Sequence, residues 1–330
     1  MKRLSRILLS LLPFALIAGL LYAALFVKPT VAGTSVKPPV MSRGDLQYGL
    51  AAPGAGVVWA AGSDGKVWLS EDAARTWVLQ VTPTKETLQD IAAWDRARAV
   101  AVGNQGVIIR TSDGGKTWQS VEAPRSKVAN KLMRVATVSG GVAWAVGEVG
   151  AVLRSKDYGA TWSRVMPEED AAWNSIFVGP QRVWLAGEFG RLAVSSDDGA
   201  NWKKVATPFK KSLMSVSFKD DSSGVAVGLD GVVLTTQDGG ERWQEQPPVT
   251  REHLFDVAWD GSLWVGVGDK GLLISGDASA QSWQASRVAP DDRAWHTRIL
   301  VQGDLRIAGG ATLVIVQRAA PTPAVQAGRS

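Results

Sequence analysis

From about residue 46 onward, short apolar or alternating runs are each stopped by clusters of Gly, Asp, Ser or Asn. In one stretch the runs are Leu88–Trp94, Arg98–Gly103, Val107–Thr111 and Thr117–Ala123. Period-two or wholly apolar runs of this length, bounded by turn residues, predict β-strands rather than helices. The group of four then recurs along the chain. The exception is the N-terminus, where Ile7–Val27 gives 21 successive residues without a charge.

A box ending in Trp marks the recurrence. It reads Ser70-Glu71-Asp72-Ala73-Ala74-Arg75-Thr76-Trp77, then Thr111-Ser112-Asp113-Gly114-Gly115-Lys116-Thr117-Trp118. Later boxes pair Asp157 with Trp162, Asp197 with Trp202, Asp238 with Trp243 and Asp277 with Trp283. Successive Trp spacings are 41, 44, 40, 41 and 40 residues. A Gly-x-x-Gly turn precedes each box, from Gly62/Gly65 to Gly268/Gly271, and Gly309-Gly310 supplies a degenerate seventh. Four strands in about 41 residues make a propeller blade, whereas a β-helix needs shorter coils. The expected fold class is therefore all-β, a seven-bladed β-propeller preceded by one N-terminal transmembrane helix.

The seventh repeat offers three strands, Thr297–Gln302, Leu305–Gly309 and Thr312–Gln317, and no box. Ser35-Val36-Lys37-Pro38-Pro39-Val40 resembles the fourth-strand exits of other repeats, such as Glu245-Gln246-Pro247-Pro248-Val249. Residues 34–40 are thus expected to complete the last blade of a propeller spanning 34–318, with 319–330 a disordered tail. Closing the ring leaves no open seam between first and last blades.

Residues 1–33 read as a basic stub, an anchor over 7–27 and a short linker. As a helix the apolar run would span about 30 Å, the depth of the hydrocarbon core. Lys2, Arg3 and Arg6 precede it, and the positive-inside rule then places the propeller across the membrane. The expectation is a single-pass protein of a bacterial inner membrane with its propeller in the periplasm. A cleaved signal peptide is the rival, because Thr30-Val31-Ala32 has small residues where a cleavage site needs them.

Composition narrows the chemistry. The 330 residues include 15 Trp and 35 Gly but only 3 Tyr, 2 His and no Cys. Without Cys there are no disulfides, thiolate metal sites or Cys nucleophiles, and two His leave little for a triad. A net charge of +5 is too small an excess to argue for nucleic acid. The box carboxylates Asp72, Asp113, Asp157, Asp197, Asp238 and Asp277 lie one to a repeat, too far apart to gather round one ion. Their expected work is local: Asp accepts turn N–H groups, Gly gives the turn its freedom, and Trp77, Trp118, Trp162, Trp202, Trp243 and Trp283 bury rings between blades. The glycine pairs lie between strands rather than before a helix, so they read as turns and not as a nucleotide cradle. No catalytic, cofactor-binding or metal-binding residue is expected.

Such boxes occur in sialidases, but a sialidase needs a Tyr nucleophile with a Glu partner, and Tyr48 alone is left outside the anchor and the boxes. The recurring unit Ala99-Val100-Ala101-Val102-Gly103-Asn104-Gln105-Gly106 through Thr117-Trp118 resembles the photosystem II stability/assembly factor family of seven-bladed propellers. That resemblance, over about residues 34–318, implies a non-enzymatic protein that helps membrane proteins assemble on the far side of an energy-transducing membrane. A transporter or exporter is the implied client where no photosystem exists. A glycan- or ligand-binding propeller is the alternative, with a hydrolase third.

Aligning the innermost strands puts Tyr48, Asp90, Arg134, Ser175, Ser215, Asp256 and Arg298 on one ring around the tunnel. Asp90 with Arg134, and Asp256 with Arg298, are expected as inter-blade salt bridges, or else as a charged mouth for a partner. Arg125, Lys127, Lys131, Lys203, Lys204, Lys210, Lys211, Arg251, Arg287 and Arg293 fall where one blade crosses to the next, interrupted by Glu168-Glu169-Asp170. All such crossings emerge on one face, so this belt, with Arg134 and Arg298, is the candidate surface for an integral membrane complex. The propeller is expected to be monomeric and to reach the inner membrane through its own helix.

Overall fold

The computed structural model describes residues 13, 15–22, 40–42 and 44–317. The chain divides into two units, Met1–Pro39 and Val40–Ser330. In the first, the described helix covers residues 15–22, and no helix among the described residues is long and apolar enough to cross a membrane. This overturns the expected transmembrane helix and, with it, the single-pass inner-membrane location. The remainder of 7–27, the closing segment 34–39 and the tail 319–330 lie outside the described residues.

The second unit is a seven-bladed propeller. Blade 1 has strands Gln47–Gly54, Val57–Gly62, Val67–Ser70 and Val78–Leu79, hydrogen-bonded in that order as an antiparallel meander. Blades 2 to 6 begin at Leu88, Leu132, Trp173, Leu213 and Leu254 and repeat the four-stranded order. Blade 7 shows three strands among the described residues: His296–Gln302, Leu305–Gly310 and Val314–Ile315. First strands of consecutive blades lie side by side, and the last meets the first. There Gln302 Nε2 donates to the Ala52 carbonyl at 3.1 Å, and Ile307 joins the core of Leu50 and Trp68.

Inner strands are long because both their faces are covered by neighbouring blades. Outer ones are shorter, most of them pairs such as Gln119–Ser120, far short of the expected Thr117–Ala123, although Val121 and Ala123 still pack on the core. Box rings stitch the blades together. Trp118 packs edge-on against Trp59 of the preceding blade at 5.6 Å and 87°, and Trp202 and Trp243 meet Trp144 and Trp184 in the same way. Burying a ring of this size stabilises by roughly 1.5–3 kcal/mol, and an edge-on pair adds about 1 kcal/mol. Where the preceding blade has Val100 or Val225 instead, Trp162 and Trp283 pack on the smaller side chain.

The glycine pairs have two separate causes. The first glycine sits where the turn abuts the neighbouring inner strand; a Cβ on Gly103 would lie 2.8 Å from the Leu88 Cα. The second, such as Gly106, adopts φ +69°, a left-handed conformation that costs other residues energy. These turns share a face with the blade-to-blade crossings, as Thr82 Oγ1 donating to Gly65 O and Thr207 Oγ1 donating to Gly190 O show. The boxes share the opposite face with the first hairpins, where the N–H of Ala73 meets Gly56 O and that of Gly239 meets Ser222 O.

Candidate functional site

Every box uses its carboxylate internally. In blade 2, Asp113 Oδ1 accepts from Thr111 Oγ1 at 2.9 Å and from Thr117 N–H at 2.9 Å, while Oδ2 accepts from Thr117 Oγ1 at 2.6 Å. Asp72, Asp157 and Asp197 repeat this set, with Asn201 replacing the Thr in the last. Asp238 keeps its backbone donor, Arg242 N–H, and Asp277 takes Gln281 N–H, Ser282 N–H and Ser279 Oγ. The hydroxyl and N–H of Thr76 and of Thr117 hold Asp72 and Asp113 at about 2, and the N–H and amide of Asn201 hold Asp197 there too. Among the described residues no three His, Asp or Glu side chains gather as a metal cage.

The tunnel departs from the expected pairing. All seven inner strands carry a one-residue bulge at the same place, between Gln47 and Gly49 in blade 1 and between Leu88 and Asp90 in blade 2. The residue of blade 1 in register with Asp90, Arg134, Ser175, Ser215, Asp256 and Arg298 is therefore Gly49, opposite Ala61. Tyr48 is the bulged residue, stacked on Trp295 at 5.5 Å, and burial raises its phenol. No side chain fills the blade 1 position, so Arg298 reaches past it. Its Nε lies 3.2 Å from Asp90 Oδ1 of blade 2 and its Nη1 3.4 Å from Asp256 Oδ2 of blade 6. The first contact is an ion pair whose angle falls short of a hydrogen bond.

Arg134, expected opposite Asp90, instead crosses the tunnel and donates from Nη2 to Thr297 O at 2.8 Å. The two aspartates also brace the next blade, Asp90 Oδ2 accepting Val135 N–H and Asp256 Oδ2 accepting Ile299 N–H, each at 3.0 Å. Ser215 Oγ adds a 2.7 Å bond to Asp256. Burial pushes the Asp90 carboxyl up against the pull of Arg298 and Arg134, and burial lowers Arg134. Burial opposes the charge of Arg298 as well, but Asp90 and Asp256 outweigh it and raise its pKa. Two cations and two anions thus cancel across the tunnel, beside a cavity of about 200 Å³. Arg134 is 8 % exposed and faces this interior.

The crossing face is less uniformly basic than the sequence implies. Lys203 and Lys204 lie on the outer strand Lys203–Val205 and pair with Glu241 and Glu169 at 3.3 and 2.6 Å. Glu169 also holds Arg191 at 2.8 Å, Lys211 pairs with Asp230, and Arg287 Nη2 meets Glu252 Oε1 at 3.1 Å. Arg293 donates to the Pro290 and Asp292 carbonyls. Arg125, Lys127, Lys210 and Arg251 are exposed, and with half-buried Lys131 they form no ion pair among the described residues. Three of these five belong to the loop between blades 2 and 3, whose tip, Val128, is 82 % exposed. Near blades 5 and 6, Arg251, Lys270 and Arg287 line a cleft of about 530 Å³ together with Glu252 and Asp269. Sequence could not separate free from neutralised cations, because each ion pair joins residues some 19 to 38 positions apart.

The two histidines do not meet. His253 Nδ1 accepts Asp230 N–H at 2.9 Å, while His296 is wholly buried where blades 2 to 6 have Leu or Trp, with Asp292 at 3.3 Å. Burial lowers the imidazole of His296 against the opposing pull of Asp292.

A family model described as photosynthesis system II assembly factor YCF48 matches residues 73–171 and 200–291, more than half of the chain. No curated protein matches the sequence. Among solved structures, YCF48 bound to D1 peptide is similar with a TM-score of 0.71 at 16% identity, covering 86% of this chain and 100% of that one. YCF48 from Cyanidioschyzon merolae gives 0.70 at 14% identity over 85% and 98% of the two chains. The WD40 β-propeller domain of Doa1 gives 0.67 at 13% identity over 86% and 96%. At these identities the structural likeness is one of fold.

Proposed function

Because this chain belongs to the family described as photosynthesis system II assembly factor YCF48, we propose that it is a non-enzymatic assembly factor, a rigid propeller that docks a polypeptide segment of an integral membrane complex. A structurally similar family protein has been solved bound to a D1 peptide, which supports a polypeptide as the docked species. The observation that carries the choice of surface is a group of cations at the blade crossings that form no ion pair among the described residues, Arg125, Lys127, Lys131, Lys210 and Arg251. A cation already paired has its field cancelled locally, whereas an exposed unpaired one attracts an acidic partner over about 10 Å at ordinary salt. Box rings and tunnel charges join neighbouring blades, so docking is expected to cost little ordering of the scaffold.

The test compares two double charge reversals in the tagged full chain, crosslinked in native membranes and purified with whatever complex it holds. Arg125→Glu with Lys127→Glu is expected to lower recovery of the complex about tenfold and to flatten its dependence on salt. Lys203→Glu with Lys204→Glu should matter much less, since those lysines are spent on Glu241 and Glu169. Equal losses from both, or recovery indifferent to salt, would refute docking through the free cations.

A further inference from the structure

One inner-strand position breaks the repeat. Opposite the second strand, blades 1, 2, 3, 5 and 6 carry Ala51, Ala92, Ala136, Ser217 and Ala258, blade 7 carries Leu300, and blade 4 carries the still larger, aromatic Phe177 opposite Trp184. A large residue where the repeat calls for a small one needs a local reason. Here the ring is part of an aromatic floor on the box-bearing face. Phe218 lies 5.7 Å from Phe177, stacks on Trp184 at 5.0 Å and 25°, and meets Trp243 edge-on at 5.8 Å. The floor is open: Phe177 and Phe218 are half-buried and, with Gly179, Pro180 and Trp184, line a cleft of about 270 Å³.

We propose that this cleft is a second docking site, which takes an uncharged aromatic or branched aliphatic side chain from a partner polypeptide. The choice of occupant follows from the rim. Arg182 Nη1 is held by Gly239 O at 2.6 Å, Lys219 Nζ by Ala278 O at 2.5 Å, and Asp220 caps the N–H groups of Ser222 and Ser223 at 2.9 and 2.6 Å. With Asp221 the rim carries two cations and two anions, so it favours neither sign, and a neutral group gains most by leaving water there. The volume falls below the roughly 300–1,000 Å³ of small-molecule sites, which suits one side chain rather than a cofactor. Further clefts of about 650 and 330 Å³ share Arg182 with it, the larger also sharing Gly179 and Pro180. Contiguous clefts around one hairpin fit an elongated chain that inserts successive side chains. The site lies on the face opposite the crossings and extends the docking reading there; its test uses uncharged probes, so failure of the basic face would leave it standing.

The test titrates isotopically labelled full chain with N-acetyl-phenylalaninamide and N-acetyl-alaninamide while following backbone amide signals. The phenyl probe is expected to shift Gly179, Arg182 and Lys219 saturably and to bind about tenfold tighter than the methyl probe, the ratio that burying an aromatic ring supports. Gly179→Leu points new atoms at the Phe177 ring, 3.2 Å from its Cβ position, and should abolish those shifts. Phe177→Leu serves as the second variant should the first lose its fold, and should weaken the phenyl probe at least threefold. Equal affinity for both probes, or shifts unchanged by either variant, would overturn the site. Neutral peptides with two phenylalanines separated by one to four residues test the partner. At least one should bind tenfold tighter than the single amide; no gain from any of them would overturn a polypeptide occupant.

Discussion

Replacing Arg298 by Met tests the tunnel most directly. The guanidinium faces Asp90, which is wholly buried, and Asp256, which is 3 % exposed. At such separations each attraction amounts to about 5 kcal/mol for an effective dielectric constant near 20, before desolvation is counted. Desolvation cancels much of this in the intact cluster, but removing one partner strands the other. The usual cost of doing so to a buried pair is about 3–5 kcal/mol. Arg298 keeps 25 % of its side chain accessible and Arg134 remains nearby, so the lower end, about 3 kcal/mol, is the expected loss. Urea unfolding at pH 7, with the slope checked for a single transition, measures it. The loss should also shrink in acid. Burial already raises Asp90, so its contribution is greatest below the unfolded carboxylate pKa and is lost as pH rises through the folded value. Without Arg298 the folded value rises further, and the variant should recover stability as pH falls towards 4. A loss below about 1 kcal/mol, or one independent of pH, would refute the view that Arg298 balances the two carboxylates.

Gly49→Ala places a Cβ 2.5 Å from the Asp90 Cα and should cost about 2–3 kcal/mol by overpacking, read as a lowered urea midpoint. Gly54→Ala, with nothing within 4 Å, should leave that midpoint almost unchanged. Asp72, Asp113 and Asp197, held at about 2, contribute stability that is present above the unfolded pKa and lost as pH falls through 2. Asp113→Asn should therefore flatten the fall in unfolding midpoint over that window, and a profile identical to the parent's would refute the box account. Trp59→Ala removes a wholly buried ring in contact with Trp118 and should cost about 3–5 kcal/mol. A double-mutant cycle with Trp118→Ala should show coupling of about 1 kcal/mol, and strict additivity would mean the rings do not support each other.

The repeat period was legible in the chain because its causes are local. A Ser or Thr, an Asp and a Trp close together make a turn whose bonds close on themselves, as those of Asp113 do, so box spacing counted six blades and the glycine turns supplied the seventh. Charge alternation around the tunnel was partly legible too: Asp256 and Arg298 do pair. What escaped was the register of blade 1, where Gly49 and not Tyr48 stands on the ring. That register lets Arg298 reach Asp90, more than 200 positions away, and frees Arg134 to cross to Thr297. The apolar run of 7–27 has the length for a spanning helix, but no helix among the described residues is long and apolar enough to cross a membrane. Which lysines remain free, and that Phe177 both packs on the core and opens on a cleft, depend on neighbours supplied by other blades. Short-range turn chemistry is written in consecutive residues, whereas the balance of charge and space between blades exists only once the ring has closed.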